Sequence, residues 1–215
     1  MRAGIFAQTS DTVTNIATVR ATPPAQSVQT GSRSCYSPTM PWPTIALEEW
    51  KPVSRPVAII AIAFYLLFLL YAALSRSNFL FLDYANLMIH EAGHPLFSPF
   101  GETLMILGGT LAELIVPLVC AAYFFFRRES TGVAFCSFWF FENFLYIGTY
   151  MSDARTLALP LVGSGDHDWE ILFTQWNLFL HDQQISHATR TFGWLGTLAS
   201  LTWFTWISFR SKRSG

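Results

Sequence analysis

The sequence predicts an all-α, polytopic membrane helix bundle, with about five transmembrane helices, an interfacial helix and a disordered N-terminal tail. Three observations carry that expectation. Hydrophobic residues make up 52% of the 215 and charged residues only 13%, against about 25% charge in an ordinary soluble domain, so the polar coat that water demands is missing. Several runs supply the roughly 20 apolar residues that a helix needs to cross a hydrocarbon core. Arginine and lysine clusters close two of those runs. The formal net charge of -1 leaves no electrostatic footprint for nucleic acid. Cys35, Cys120 and Cys136 make no disulfide framework, and the last two lie in apolar runs, where cysteine acts as a small hydrophobe.

Residues 1–50 are rich in Ser, Thr and Pro and have no sustained apolar period, so they read as a disordered tail. No short apolar segment follows Met1, and the sparse arginines form no amphipathic helix, so neither a cleavable signal nor a transit peptide is expected. The helical membrane domain is expected over 51–215, with spans at 56–75, 78–97, 103–126, 133–152 and 192–209. The first run carries no charge, whereas the second contains Asp83, His90, Glu91 and His94 and the fourth Glu142 and Asn143. Between the last two spans, 153–191 reads as a loop with a helix in the interface plane, its apolar face spaced as Trp169, Leu172, Phe173, Trp176, Phe179 and Leu180. Asp166 and Asp168 would cap that helix, and His181 and His187 would lie on its wet face. Arg127 with Arg128, and Arg210 with Lys212 and Arg213, follow odd-numbered spans, so the positive-inside rule puts the C-terminus in the cytoplasm. Lys51 and Arg55 before the first span pull the other way.

The second span holds "HEAGH", residues 90–94. Ionisable groups inside a membrane mark functional sites by default. Residues four apart share a helix face, so His90 and His94 can present ring nitrogens to one metal, and Glu91 can reach a water beside it as general base. Zinc lowers the pKa of a bound water to ~7, as amide hydrolysis at neutral pH requires. Ala92 and Gly93 leave room beside the helix, and Pro95 removes a backbone hydrogen bond just past the second histidine. With alternating spans, the end of span two, the start of span three, the end of span four and the 153–191 loop share one membrane face, so the histidines can meet Asp153, Arg155 and "GDHDW" without a chain crossing the bilayer. Glu113 and Glu142 lie midway along their spans, within reach of the same cavity.

"HEAGH" followed two spans later by "ENFLYIGTYMSDAR" resembles the site-2-protease-like intramembrane zinc metalloproteases. "HEAGHPLFSPFGETLMILGGTLAELIVPL" with "SDAR" and "GDHDW" is also similar to small bacterial zincin-like membrane proteins. The resemblance covers roughly residues 80–205. It implies zinc held by His90, His94 and an aspartate that matches Asp153, with Glu91 catalytic. It also implies a multi-pass protein of the bacterial cytoplasmic (inner) membrane that cleaves membrane-protein or peptide substrates. Here Asn143 precedes Asp153 by ten residues, and the Pro and Gly of the family's aspartate motif are absent.

Rivals for the third ligand, or for a group orienting one, are Glu142, Asn143 and the loop residues Asp166, His167 and Asp168. Gly108 and Gly109 are expected to serve close helix packing. The aromatic run Phe138 to Phe141 with Phe144 is expected to face lipid or core. The expected activity is peptide-bond hydrolysis in or beside the bilayer, with membrane lipid and a peptide or membrane-protein substrate as partners. The alternative is a non-hydrolytic metal-binding membrane protein, such as a transporter, a sensor or an inactive protease relative, in which Asp83, Glu113 or Glu142 would line a path. Five histidines are too few for the two-iron site of a desaturase.

Overall fold

The computed structural model describes residues 49–75, 79–159 and 166–210. Nearly all of the tail expected at 1–50 lies outside them, as do Lys212 and Arg213. Six α-helices and two 3-10 turns, with no strand, make up the fold among the described residues. They are α1 (Arg55–Leu74), α2 (Asp83–Phe97), α3 (Glu102–Phe126), α4 (Ser130–Asp153), α5 (Asp168–Gln175) and α6 (Asp182–Arg210).

Pro56, in the first turn of α1, has its φ already set for a helix and lacks only an N–H that the first turn leaves unused. Tyr65, Phe68 and Leu69 turn inward and pack with Ala134 and Phe138 of α4 and Leu201 and Phe204 of α6. The opposite face is bare: Ile60 is 69% and Leu67 66% exposed. Of the described helices, α1 and α3 are long and apolar enough to cross a membrane.

The second element is shorter than the 78–97 span expected. Its 15 residues rise only ~22 Å, less than a hydrocarbon core of about 30 Å. Its start is set by the Asp83 carboxylate, which accepts the Leu80 N–H at 2.6 Å. Its end is a 3-10 turn, Ser98–Phe100, followed by Gly101 at φ +104, a left-handed conformation that favours glycine. The chain then reverses into α3.

The reversal lays α2 against α3 at very close range. A Cβ on Gly93 would stand 2.2 Å from the Gly108 carbonyl oxygen, and one on Gly108 would stand 2.8 Å from that of Gly93. Only hydrogen fits on both faces. The most extensive pairing, α4 with α6, uses the same device, since Gly193 and Gly196 of α6 receive Leu145 and Phe141 of α4.

The interfacial helix expected after α4 is a short, well-anchored element. Trp169, Leu172 and Phe173 are buried against Ile106 of α3 and Ile147, Met151 and Ala154 at the end of α4. The first half of the apolar spacing seen in the sequence therefore faces protein, Phe179 packs in part, and Trp176 and Leu180 are exposed, Leu180 by 83%. Residues 179–181 form a 3-10 turn and α6 begins at Asp182, so the last helix runs 29 residues and takes in 182–191, which the sequence assigns to the loop. Of the aromatic run, Phe138 is core and the Trp139 indole N–H donates to Asn86 Oδ1 at 2.7 Å.

Candidate functional site

Both motif histidines point the same ring nitrogen at one place. His90 Nε2 lies 2.8 Å from Asp168 Oδ2, and His94 Nε2 lies 3.4 Å from the same oxygen. The two Nδ1 atoms are held from behind, His90 by Glu113 Oε1 at 2.9 Å and His94 by the Met105 carbonyl oxygen at 2.9 Å. The Met105 carbonyl requires an N–H on His94 Nδ1, and Glu113 is placed to accept one from His90 Nδ1, so each Nε2 faces the Asp168 carboxylate oxygen. His90 Nε2 is within hydrogen-bond distance of that oxygen and, once deprotonated, presents a metal-binding lone pair beside it. Three electron-rich atoms so arranged suit a shared divalent cation, and hydrogen bonds to the far nitrogen are how metal-binding imidazoles are oriented. One ligand atom from each of His90, His94 and Asp168 lies within 4.8 Å of the others.

The pocket for the His90 ring is cut into α3. A Cβ on Gly109 would sit 2.6 Å from His90 Cε1 and Nε2, so Gly109 makes space for the imidazole in addition to the packing role expected of it. The His90 side chain keeps only 4% of its exposure whereas that of His94 keeps 24%, so the site opens on the His94 side.

Asp168 arrives from the first turn of α5. His167 is the N-cap of that helix, its Nδ1 accepting the Glu170 N–H at 3.2 Å. The Tyr150 hydroxyl oxygen accepts the Asp168 N–H at 3.2 Å, and its ring packs on His167 and His90 with centroids 4.2 and 5.7 Å apart. Asp168 is thereby released from capping, and its carboxylate meets the histidines. Burial holds the His167 imidazole below its usual range, with Asp153 pulling the other way. Sequence reasoning missed Tyr150, which lies one turn before Asp153 on the same helix.

Asp153, matched to the third ligand by resemblance, is engaged elsewhere. Its carboxylate accepts the Thr156 hydroxyl and the N–H groups of Ala158 (3.0 Å) and Leu159 (2.9 Å), closing the end of α4. Burial pushes that carboxyl up, but these donors outweigh it and hold it below the usual carboxylate range. Its nearest approach to the site is His167 Nε2, 3.7 Å away. Arg155 pairs with Asp182, not with Asp153. Asp166 is exposed, as are His181 and His187. Glu91 is half-buried.

Glu142 and Asn143 lie deeper in the bundle. Pro117 has no N–H to give the carbonyl of Glu113, four residues earlier in α3. The Asn143 side-chain amide donates to that oxygen instead, repairing the helix at the residue that holds His90. Glu142 Oε2 accepts from the Asn86 amide at 3.1 Å. A wholly buried row of Asp83, Asn86, Glu142, Asn143 and Glu113 thus ends on His90. Compared with protein-family models, curated proteins and solved structures, the chain has no match.

Proposed function

We propose that the protein is a membrane-embedded zinc-dependent metalloprotease, cleaving peptide bonds in or beside the bilayer. The observation that carries this reading is the convergence of His90 Nε2, His94 Nε2 and Asp168 Oδ2, with the opposite ring nitrogens tethered to Glu113 and the Met105 carbonyl. Asp168 takes the place of Asp153 as the third ligand in this reading. When bound there, zinc supplies an acidified water and a polarised substrate carbonyl. Glu91, next to His90 in the motif, takes the proton from the attacking water and delivers it to the leaving amine. The Tyr150 ring and hydroxyl keep Asp168 and His90 in register.

Support for the bilayer comes from the apolar outer faces of α1 and α3. Leu74, Leu118 and Val119 are each more than half exposed, and water tolerates such continuous apolar surface poorly. In this reading α1, α3, α4 and α6 cross the membrane of a multi-pass bacterial inner-membrane protein, with the C-terminus cytoplasmic. The shorter α2 reaches part way and sets the depth of the site.

The test compares wild type with Glu91→Gln in membranes mixed with single-span substrates, with and without chelator. Wild type should yield a chelator-sensitive product. Glu91→Gln should hold equal zinc and cleave at least ~100-fold more slowly; cleavage at the wild-type rate refutes the assignment. The buried row Asp83, Glu142 and Glu113 favours a second reading, in which the same centre passes a cation along acidic groups without hydrolysis. That reading predicts cation uptake by liposomes that is insensitive to Glu91→Gln.

A further inference from the structure

Of the buried acidic groups, Asp83 and Glu142 lie outside the chemistry of the HExxH centre. Asp83 starts α2 and Glu142 lies mid-way along α4; they are 1% and 0% exposed. One amide serves both, since Asn86 Nδ2 donates to Asp83 Oδ1 at 3.3 Å and to Glu142 Oε2 at 3.1 Å. The orientation of that amide is set by Trp139, whose N–H takes the Asn86 oxygen at 2.7 Å. The Leu80 N–H takes Asp83 Oδ2. Three of the four carboxyl oxygens therefore have a fixed donor. The fourth, Glu142 Oε1, is fully buried with no partner among the described residues.

Two carboxylates side by side in a buried, low-dielectric place cannot both stay ionised; such pairs keep one proton between them. Beside Asp83 is a cavity of about 20 Å³ lined by Ala72, Leu80, Tyr146, Thr149 and Trp194, enough for one water that can take up a proton. We propose that Asp83 and Glu142 form a proton-binding site, separate from the HExxH centre, that holds one proton near neutral pH and exchanges it through this cavity. Asp83 has two donors and Glu142 one, so Glu142 carries the proton, on Oε1, the oxygen that no fixed donor occupies. On release the proton passes to the water beside Asp83. The charged and titratable groups facing the pair are Glu113 from α3, Tyr146 from α4 and Arg190 from α6.

Infrared spectroscopy of the full chain in detergent reads this directly. At neutral pH, wild type should show a protonated-carboxyl C=O band that shifts in heavy water and on carbon-13 labelling of glutamate. Loss of that band in Glu142→Gln, a frequency change in Asp83→Asn, and its persistence in Glu113→Gln and Asp168→Ala are expected. Persistence in Asp168→Ala with zinc lost separates this site from the metal reading. Should the Glu142 and Asp83 variants fail to fold, the labelled wild type together with Glu113→Gln decides. The proposal is overturned if wild type has no glutamate-sensitive band at neutral pH, if Glu142→Gln leaves it intact, if Glu113→Gln removes it, or if sodium abolishes it by taking the proton's place.

Discussion

Removing the Asp168 carboxylate tests the metal centre most sharply, because sequence resemblance points to Asp153 and geometry to Asp168. Binding of a four-ligand zinc ion is worth roughly 10–16 kcal/mol, or about 3 kcal/mol per ligand. At 1.4 kcal/mol per tenfold, Asp168→Ala should weaken zinc binding ~100-fold. Asp153→Ala removes a group that meets the site only through His167, 3.7 Å away, so its effect should stay below the ~10-fold at which outer-shell changes begin. The assay is zinc competition against a chromophoric chelator on purified protein, with circular dichroism to confirm helix content. Wild-type affinity in Asp168→Ala together with a ~100-fold loss in Asp153→Ala would refute the reasoning.

Gly109→Ala should drive the His90 ring off its tether, since the new Cβ would lie 2.6 Å from the imidazole; a ~10–100-fold loss in zinc affinity is expected, although alanine favours the helix. Unchanged affinity would show that the ring adapts freely. Asn143→Ala leaves the Glu113 carbonyl without a donor and should cost about 1–3 kcal/mol in denaturant unfolding. Adding Pro117→Ala restores the backbone N–H and should recover most of that loss. The depressed Asp153 carboxyl stabilises the turn at 156–159 fully above its unfolded value of ~3.9, and the contribution is lost as pH falls through the lower folded value. The protection factors of Ala158 and Leu159, the intrinsic exchange rate at each pH divided by the observed one, should therefore fall with acid in wild type and be low throughout in Asp153→Ala.

Much of this architecture is written in local pattern. An uninterrupted apolar run with a proline at its start makes α1 a helix wherever it is placed, and four-residue spacing puts His90 and His94 on one face of any helix that contains them. Gly108 foretells a close crossing, because few other reasons place bare backbone in an apolar helix, whereas Gly93, read from the sequence only as room beside the helix, is the other half of that crossing. The same spacing left open what covers α5: an apolar face looks alike whether it meets lipid or Ile106, Ile147 and Met151, since periodicity records that a face is buried and not what buries it. What tertiary structure alone decided was the partner of each polar group. Asp153 lies nearer the familiar ligand position, yet local N–H donors at the end of α4 claim it. Asp168 would cap its own helix, yet His167 performs that task and leaves the carboxylate free for the histidines. Chain-local geometry sets which residues share a face. Only the folded bundle sets which lone pairs from distant segments meet, because that depends on how closely helices approach and on which competing donors are nearer.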